Sequence, residues 1–193
     1  MESEKFELTD VQKRALLKLA RSVVESKVLD KKVDIRFPDD PVLHRNCGCF
    51  VTLHVDGKLR GCIGTFVSDK PLVETVCEMA ESALNDPRFV NQRIRPDELD
   101  RLDIEISVLS PLKLTKDPLS LELGKHGIYI RRGFQSGCFL PQVATETGWT
   151  KEEFLSYCCS HKASLPADAW KDPSTQVYLF TADVFSEKEL FAK

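Results

Sequence analysis

The dipeptide Asp56-Gly57 stands between two runs, residues 50–55 and 58–65, that have the composition of β-strands. A type I′ turn requires positive φ at both of its central residues, and Asp-Gly is among the pairs that accept this conformation. Such a pair between two strand-like runs predicts a tight antiparallel hairpin. We therefore expect a sheet in which neighbouring strands run in opposite directions.

Helical and strand-like patterns alternate along the rest of the sequence. Apolar spacing predicts helices over about residues 10–29, 71–85 and 150–163, and alternation predicts a half-buried strand in "LDIEISVLSP". A second hairpin is expected over residues 128–131 and 138–140, turned around Gly133 and Gly137, and one closing strand in "QVYLFTADVF". Because hairpins supply several connections, the pattern favours an α+β fold, a mainly antiparallel sheet with flanking helices.

Composition limits the partners. The chain has 193 residues, of which 42% are hydrophobic, enough to bury the core of one domain. Its formal charge is −3 and its basic residues are scattered, so we expect no nucleic acid partner. The sequence contains no apolar run of membrane length, and its acidic start "MESEKFELTD" lacks a signal-peptide pattern, so we expect no membrane association and a cytoplasmic location. The seven cysteines are then expected to be free thiols.

The stretch "LRGCIGTF" places Cys62 between Gly61 and Gly64, two residues after Arg60. A guanidinium close to a cysteine favours its thiolate, and flanking glycines let a ligand approach the strand. Cys62 is therefore a candidate catalytic thiol, with Arg60, Gly61 and Gly64 as substrate-binding residues. The alternative is that Cys62 is a small apolar residue in the core, as free cysteines often are.

The simplest register of the first hairpin pairs Leu53 with Arg60 and Val51 with Cys62. Arg60 then lies on an apolar face, where an unpaired cation is costly. Three arrangements would avoid the energetic cost of the buried cation: a neighbouring carboxylate, a bound anion, or a β-bulge that turns the Arg60 side chain to the other face of the sheet. Glu105 is the candidate carboxylate and a candidate acid or base, although alternation also fits a solvated position.

Further candidates lie outside this hairpin. His126, in "GKHGI", could act as a base for a distant thiol, or could be an ordinary loop histidine. In "NDPRF", Asp86 suits a turn and Arg88 suits either a structural contact or an anion. Gln142 follows Pro141 in what we expect to be irregular backbone, where its amide could bind a polar ligand.

No metal or cofactor is expected from the motifs. His44, Cys47 and Cys49 lie close together in sequence, but a second pair with zinc-like spacing is missing. The sequence also lacks a dinucleotide fingerprint and a phosphate-binding glycine loop.

The chain resembles the AMMECR-type domain family over residues 8–185. The resemblance lies in the order of its motifs: "CFVTLHVDGKLRGCIGTF", "NDPRF", "LDIEISVLSP", "GKHGI", "SGCFLPQVA" and "KASLP". We therefore expect residues 1–193 to form one such domain. The resemblance implies a single α+β domain of two unequal lobes with the motif residues near a groove between them, and cytoplasmic residence. In microbial relatives it also implies an association with a Memo-type protein and a radical S-adenosylmethionine enzyme. The matching positions are Arg60, Gly61, Cys62, Gly64, Asp86, Arg88, Glu105, His126 and Gln142.

One position departs from the family pattern. Ser164 stands where the family is expected to have the glycine of "KAGLP", which puts the left-handed turn after the preceding helix in doubt.

Two functions stay open at the level of sequence. The first is an enzyme in which Cys62, His126 and Glu105 are catalytic. The second is a module that holds a small-molecule or peptide ligand in the same groove without a covalent step. A cysteine between glycines favours the enzyme, because a binding groove has little need of one.

Overall fold

The structure, a computed structural model, describes residues 7–33 and 35–191, so most of the acidic start noted above lies outside the described residues. Its α-helices are α1 (Asp10–Val28), α2 (Leu72–Leu84), α3 (Pro141–Thr147), α4 (Lys151–Tyr157) and α5 (Glu187–Phe191). Its strands are β1 (Cys49–Val55), β2 (Lys58–Thr65), β3 (Leu102–Leu109), β4 (Lys113–Leu114), β5 (Gly127–Arg132), β6 (Gln135–Phe139), β7 (Gln176–Phe180) and β8 (Ala182–Ser186). The α+β class expected from the sequence is confirmed, with two four-stranded sheets in place of one.

The chain divides into two compact units of unequal size. The first contains the residues up to Leu109 together with those from Asp183 onward, and the second contains Ser110 to Ala182. Among the residues that the structure describes, no helix has the length and apolar character of a membrane span.

The first unit is a sheet with strand order β2-β1-β3-β8, covered on one face by α1 and α2. The Thr9 hydroxyl and the Gln12 side chain form the capping box that starts α1. The core side chains come from alternate positions of the strands and one stripe of each helix: Val51, Leu53, Val55, Ile104 and Ile106 face Leu16, Leu17, Ala20, Val24, Val73, Val76 and Ala80. This alternation leaves the other residues of β1 and β3 on the opposite face.

The predicted hairpin is confirmed, and its predicted register is wrong. Asp56 and Gly57 have φ of 52° and 73°, as a type I′ turn requires. Val55 pairs with Lys58, but the register then shifts by one residue at a β-bulge. Arg60 is the extra residue. Beyond it, Cys62 pairs with Thr52 and not with Val51.

The second unit is a sheet with strand order β4-β7-β5-β6. The β5–β6 hairpin turns at Gly133, which has φ of 60°. Gly137 lies within β6 and not in the turn: a Cβ atom there would sit 2.4 Å from the amide nitrogen of Ala163. The helix predicted over residues 150–163 consists of α4 and a π-helical turn, Cys158–Lys162.

The predicted closing strand is in fact two strands in different sheets. β7 pairs with β5 in the second unit, whereas β8 belongs to the sheet of the first. Thr181 separates them: its N–H donates to the Ser110 hydroxyl, and its carbonyl accepts from the Ser110 N–H, both at 2.9 Å. These hydrogen bonds to Ser110 replace strand pairing at Thr181. The alternation of apolar and polar residues in the sequence does not reveal this break.

Ser164 adopts the conformation that the family glycine would favour. Its φ is 55°, and the Leu165 N–H closes the end of the helical segment on the Cys159 carbonyl at 2.9 Å. A residue with a Cβ atom pays a steric cost in this left-handed region. The turn is therefore formed, at some expense in stability.

We expect Ser164→Gly to raise the free energy of unfolding by about 0.5 kcal/mol, because relief of the left-handed strain exceeds the entropy that glycine adds to the unfolded chain. Chemical denaturation measures the change. Ala163→Gly is the matched control: Ala163 is in the right-handed region, and this substitution should lower stability by about 1 kcal/mol. Equal losses in the two variants would contradict the interpretation.

Candidate functional site

The bulge at Arg60 places Cys62 on the face of the sheet opposite to the helices. Cys62 lies opposite Thr52 of β1, and Thr52 lies opposite Glu105 of β3, so the three side chains form one row across three strands. Strands are spaced by roughly 4.8 Å, which separates Cys62 from Glu105 by ~10 Å. His54, Asp103 and Ser107 occupy neighbouring positions on this face, and so does the aromatic Phe50, which lies opposite Gly64 and Ser107. Cys62 is half-buried there and is not a core residue.

Thr52 contacts the sulfur directly. Its hydroxyl donates to Cys62 Sγ across a distance of 3.3 Å, and the residue is only 8% exposed. Sequence analysis missed Thr52, because the predicted register placed it opposite Gly61. A predicted bulge at Arg60 would have placed Thr52 opposite Cys62.

The backbone of Cys62 is held from outside the sheet. β2 is an edge strand, whose outward N–H and C=O groups need partners. Asp86 Oδ2 accepts from the Cys62 N–H at 3.0 Å, and Arg88 Nη2 donates to the Cys62 carbonyl at 3.0 Å. Arg88 Nη2 also donates to Asp86 Oδ2 at 2.6 Å. The "NDPRF" motif thus closes the edge of the sheet at the candidate thiol.

This ion pair also sets the local charge. Asp86 is 2% exposed, and hydrogen bonds from the Arg88 side chain hold the pKa of its carboxyl well below the usual range. The same bond raises the pKa of Arg88, and the negative charge of a Cys62 thiolate raises it further. The Arg88 guanidinium is therefore within electrostatic range of the sulfur.

Arg60 has a different partner from the one expected. Its guanidinium is paired with the Glu98 carboxylate and donates to the Gln92 carbonyl at 2.7 Å, so the predicted pairing with Glu105 is wrong. Glu98 is buried in a 3₁₀ turn, and its other oxygen accepts from the Arg95 N–H at 3.0 Å. Sequence analysis missed Glu98 because a capping box is expected behind Ser or Thr, and Arg95 occupies that place.

The glycines beside Cys62 allow close packing. A Cβ atom at Gly61 would sit 2.1 Å from the Ala83 carbonyl oxygen, and one at Gly64 would sit 2.3 Å from the Phe50 ring. The expectation that both leave open space beside the sulfur is wrong: Gly61 packs against the end of α2 on the helix face, and the Phe50 ring fills the space at Gly64.

The remaining two candidates lie in the second unit. His126 Nδ1 accepts from the Glu122 N–H at 3.0 Å, so the neutral ring carries its proton on Nε2. Burial lowers the pKa of His126, which favours this neutral form. Gln142 lies in α3 and not in irregular backbone, and its carbonyl accepts from the Thr145 hydroxyl at 2.8 Å. Convergence of these two residues on Cys62 stays a prediction.

Glu105 also lines a cleft of the first unit with a volume of about 720 Å³. The lining mixes acidic and basic side chains around Leu102 and Phe191: Arg21, His54, Asp100, Arg101, Asp103, Glu187 and Lys188. Of the predicted site residues that the structure describes, Cys62 and Arg60 are not part of this lining. In the row formed by Cys62, Thr52 and Glu105, the cleft therefore lies at the Glu105 end.

The other thiols lie in less polar surroundings. Burial raises the pKa of Cys47, Cys77 and Cys138 to about 11, and it also raises the pKa of Cys49, Cys158 and Cys159. Within residues 7–33 and 35–191, no three His, Cys, Asp or Glu side chains cluster as a potential metal site.

Comparisons with known proteins agree with the motif order. The AMMECR1 family model matches residues 17–185. The chain is 43% identical to a protein of Methanothermobacter thermautotrophicus, with coverage of 90% of this chain and 93% of that protein. It is 41% identical to a protein of Thermococcus gammatolerans, with coverage of 95% and 94%.

A solved structure shows the same fold. The crystal structure of uncharacterized protein PH0010 from Pyrococcus horikoshii is similar with a TM-score of 0.78 at 38% identity, over 90% of each chain. Sequence and structure together lead to one assignment: the chain belongs to the AMMECR1 family.

Proposed function

We propose that this protein is a cysteine-dependent enzyme in which Cys62 Sγ attacks an electrophilic carbon of a small molecule or a protein side chain. The observation that carries the proposal is the face on which Cys62 lies. A half-buried thiol on the face of the sheet opposite to the helices, with its backbone fixed by Asp86 and Arg88, suits a nucleophile better than a packing role.

A positively charged side chain lies near the sulfur. Arg88 is the cation beside Cys62, a role that the sequence suggested for Arg60. The thiol proton passes to water before attack, and the sulfur electron pair then forms the new S–C bond as the bond to the leaving group breaks. The Arg88 side chain is 59% exposed, so its guanidinium is also available to an anionic group of the substrate.

Glu105 has a separate part in this proposal. Because about 10 Å separates it from Cys62, its carboxyl group does not exchange a proton with the thiol directly. It serves as an acid or base toward the portion of the substrate that enters the cleft. This cleft is wide open to solvent, and its mixed charges suit a polar group of a substrate.

His126 and Gln142 stay proposed contributors. A neutral imidazole with its proton on Nε2 donates a hydrogen bond, so His126 would orient a substrate oxygen and would not remove the thiol proton. Gln142 would contact a polar group of the substrate.

The alternative is a non-catalytic module that binds a small molecule or peptide. The exposed Arg88 guanidinium and the charged cleft support binding equally well. The Memo-type protein and the radical S-adenosylmethionine enzyme implied by the family resemblance stay predicted partners, as does a cytoplasmic location. A Cys62→Ser variant separates the two functions, because an enzyme of this type loses turnover while a binding module keeps its ligand.

Alkylation with iodoacetamide tests the nucleophile. Cys77 and Cys138 are internal controls, since they are also half-buried but have pKa values near 11. At about pH 7.5 we expect Cys62 to be alkylated at least ~100-fold faster than either control, as an accessible thiol should be. Mass spectrometry of the folded protein gives each rate. Cys62 reacting as slowly as Cys77 would remove the basis of the proposed function.

The Asp86 carboxylate should control stability in acid. Its pKa is lower in the folded state than the ~3.9 of the unfolded chain, so its stabilisation is present above about pH 4 and is lost as pH falls further. We expect Asp86→Asn to lower the free energy of unfolding by about 2 kcal/mol near neutral pH. This difference from wild type should shrink in urea titrations below about pH 4.

Asp97→Asn is the matched control for that measurement. Asp97 is also paired with an arginine two residues away, but both side chains of its pair are 65% exposed. Because an exposed ion pair contributes little to stability, this substitution should change the free energy of unfolding far less than Asp86→Asn does. Equal effects of the two variants would show that burial of Asp86 does not matter.

A further inference from the structure

We infer that Thr52 is a positioning residue for Cys62: the Thr52 hydroxyl orients the sulfur and donates a hydrogen bond that would stabilise its thiolate form. The inference rests on the proposed function, since it assigns to the nucleophile a hydrogen-bond donor that sequence motifs do not indicate. It concerns the middle member of the row Cys62, Thr52 and Glu105.

The placement of Thr52 follows from the bulge. In a hairpin without the extra residue, Thr52 would pair with Gly61, and no side chain of β2 would lie opposite its hydroxyl. The bulge at Arg60 moves Cys62 opposite Thr52, and Thr52 Oγ1 then lies 3.3 Å from Sγ. β1 is an interior strand of the sheet, so Thr52 is held by neighbours on both sides.

The burial of Thr52 makes its hydrogen bond to Cys62 energetically important. At 8% exposure the hydroxyl has little access to water, and a buried hydroxyl without a partner is costly. A hydroxyl donates more strongly to an ionised acceptor than to a neutral one. The bond to Cys62 therefore favours the thiolate over the thiol and fixes the direction in which the sulfur points.

Other charged groups of the first unit lie near Cys62. Among its described residues, Asp86 and Arg88 face Cys62 from the segment after α2, and Glu105 lies two strands away. A change of Thr52 to an apolar residue leaves all three in place. Its effect on the thiol is therefore separable from theirs.

Thr52→Val and Thr52→Ser test the inference through the pH dependence of Cys62 alkylation. We expect Thr52→Val to slow alkylation about fivefold at about pH 7 and to leave it unchanged at about pH 10, where thiols are ionised in either protein. Thr52→Ser keeps the hydroxyl and should react like wild type. Circular dichroism and thermal unfolding establish that each variant is folded, and Thr52→Ala replaces Thr52→Val if the latter is not.

Thr75→Val is the control for loss of a buried threonine hydroxyl. Thr75 is 1% exposed in α2, and its hydroxyl donates to the Pro71 carbonyl at 3.0 Å. The Thr75→Val substitution should leave the rate of Cys62 alkylation unchanged at both pH values. Equal alkylation of wild type and Thr52→Val near neutral pH would overturn the inference, as would an equal slowing at both pH values, which would indicate a change in access.

The outcome for Thr52 is independent of the outcome for the nucleophile. A slow Cys62 in wild type, no faster than Cys77, counts against the proposed function. The ratio of wild type to Thr52→Val at the two pH values still decides whether the hydroxyl favours the thiolate.

Discussion

One extra residue in β2 determines the chemistry of this face. Arg60 is the residue added at the bulge, and its pairing with the buried Glu98 carboxylate and the Gln92 carbonyl holds it there. A one-residue shift moves every following side chain to the other face of a sheet. Without the bulge Cys62 would pack with Val51 against the helices. With it, Cys62 contacts Thr52 on the face that also carries Glu105 of β3.

The residues around Cys62 divide into those that hold the strand and those that meet the sulfur. Gly61 and Gly64 let β2 approach α2 and Phe50 closely, and Asp86 binds the outward N–H of Cys62. These contacts remove freedom from the backbone. Thr52 contacts the sulfur itself, whereas Arg88 binds the Cys62 carbonyl and remains largely exposed. In the proposed enzyme, the fixed backbone would hold the nucleophile in position.

Local sequence rules predicted the elements better than their assembly. The helix α1, the type I′ turn and the alternation of β3 depend on residues close together in the sequence, and all three are confirmed. The cost of Arg60 on an apolar face was recognisable from the sequence, and a bulge was one of three possible answers. Its actual partner, Glu98, depends on a 3₁₀ turn that lies 38 residues away in the chain. The fixed tautomer of His126 likewise depends on a backbone N–H that the motif does not contain.

The division of the closing segment into β7 and β8 has a consequence for biosynthesis. The first unit is interrupted after Leu109 and resumes only at Asp183, so the ribosome makes the whole second unit before β8 and α5. Until then α1 lacks the carboxylates of Asp183 and Glu187, which bind Lys13 and Arg21. During synthesis, β3 of the first unit therefore has no partner strand on the side that β8 later occupies. The second unit already has all the residues of its own sheet at that stage. Folding during translation should finish on the C-terminal segment.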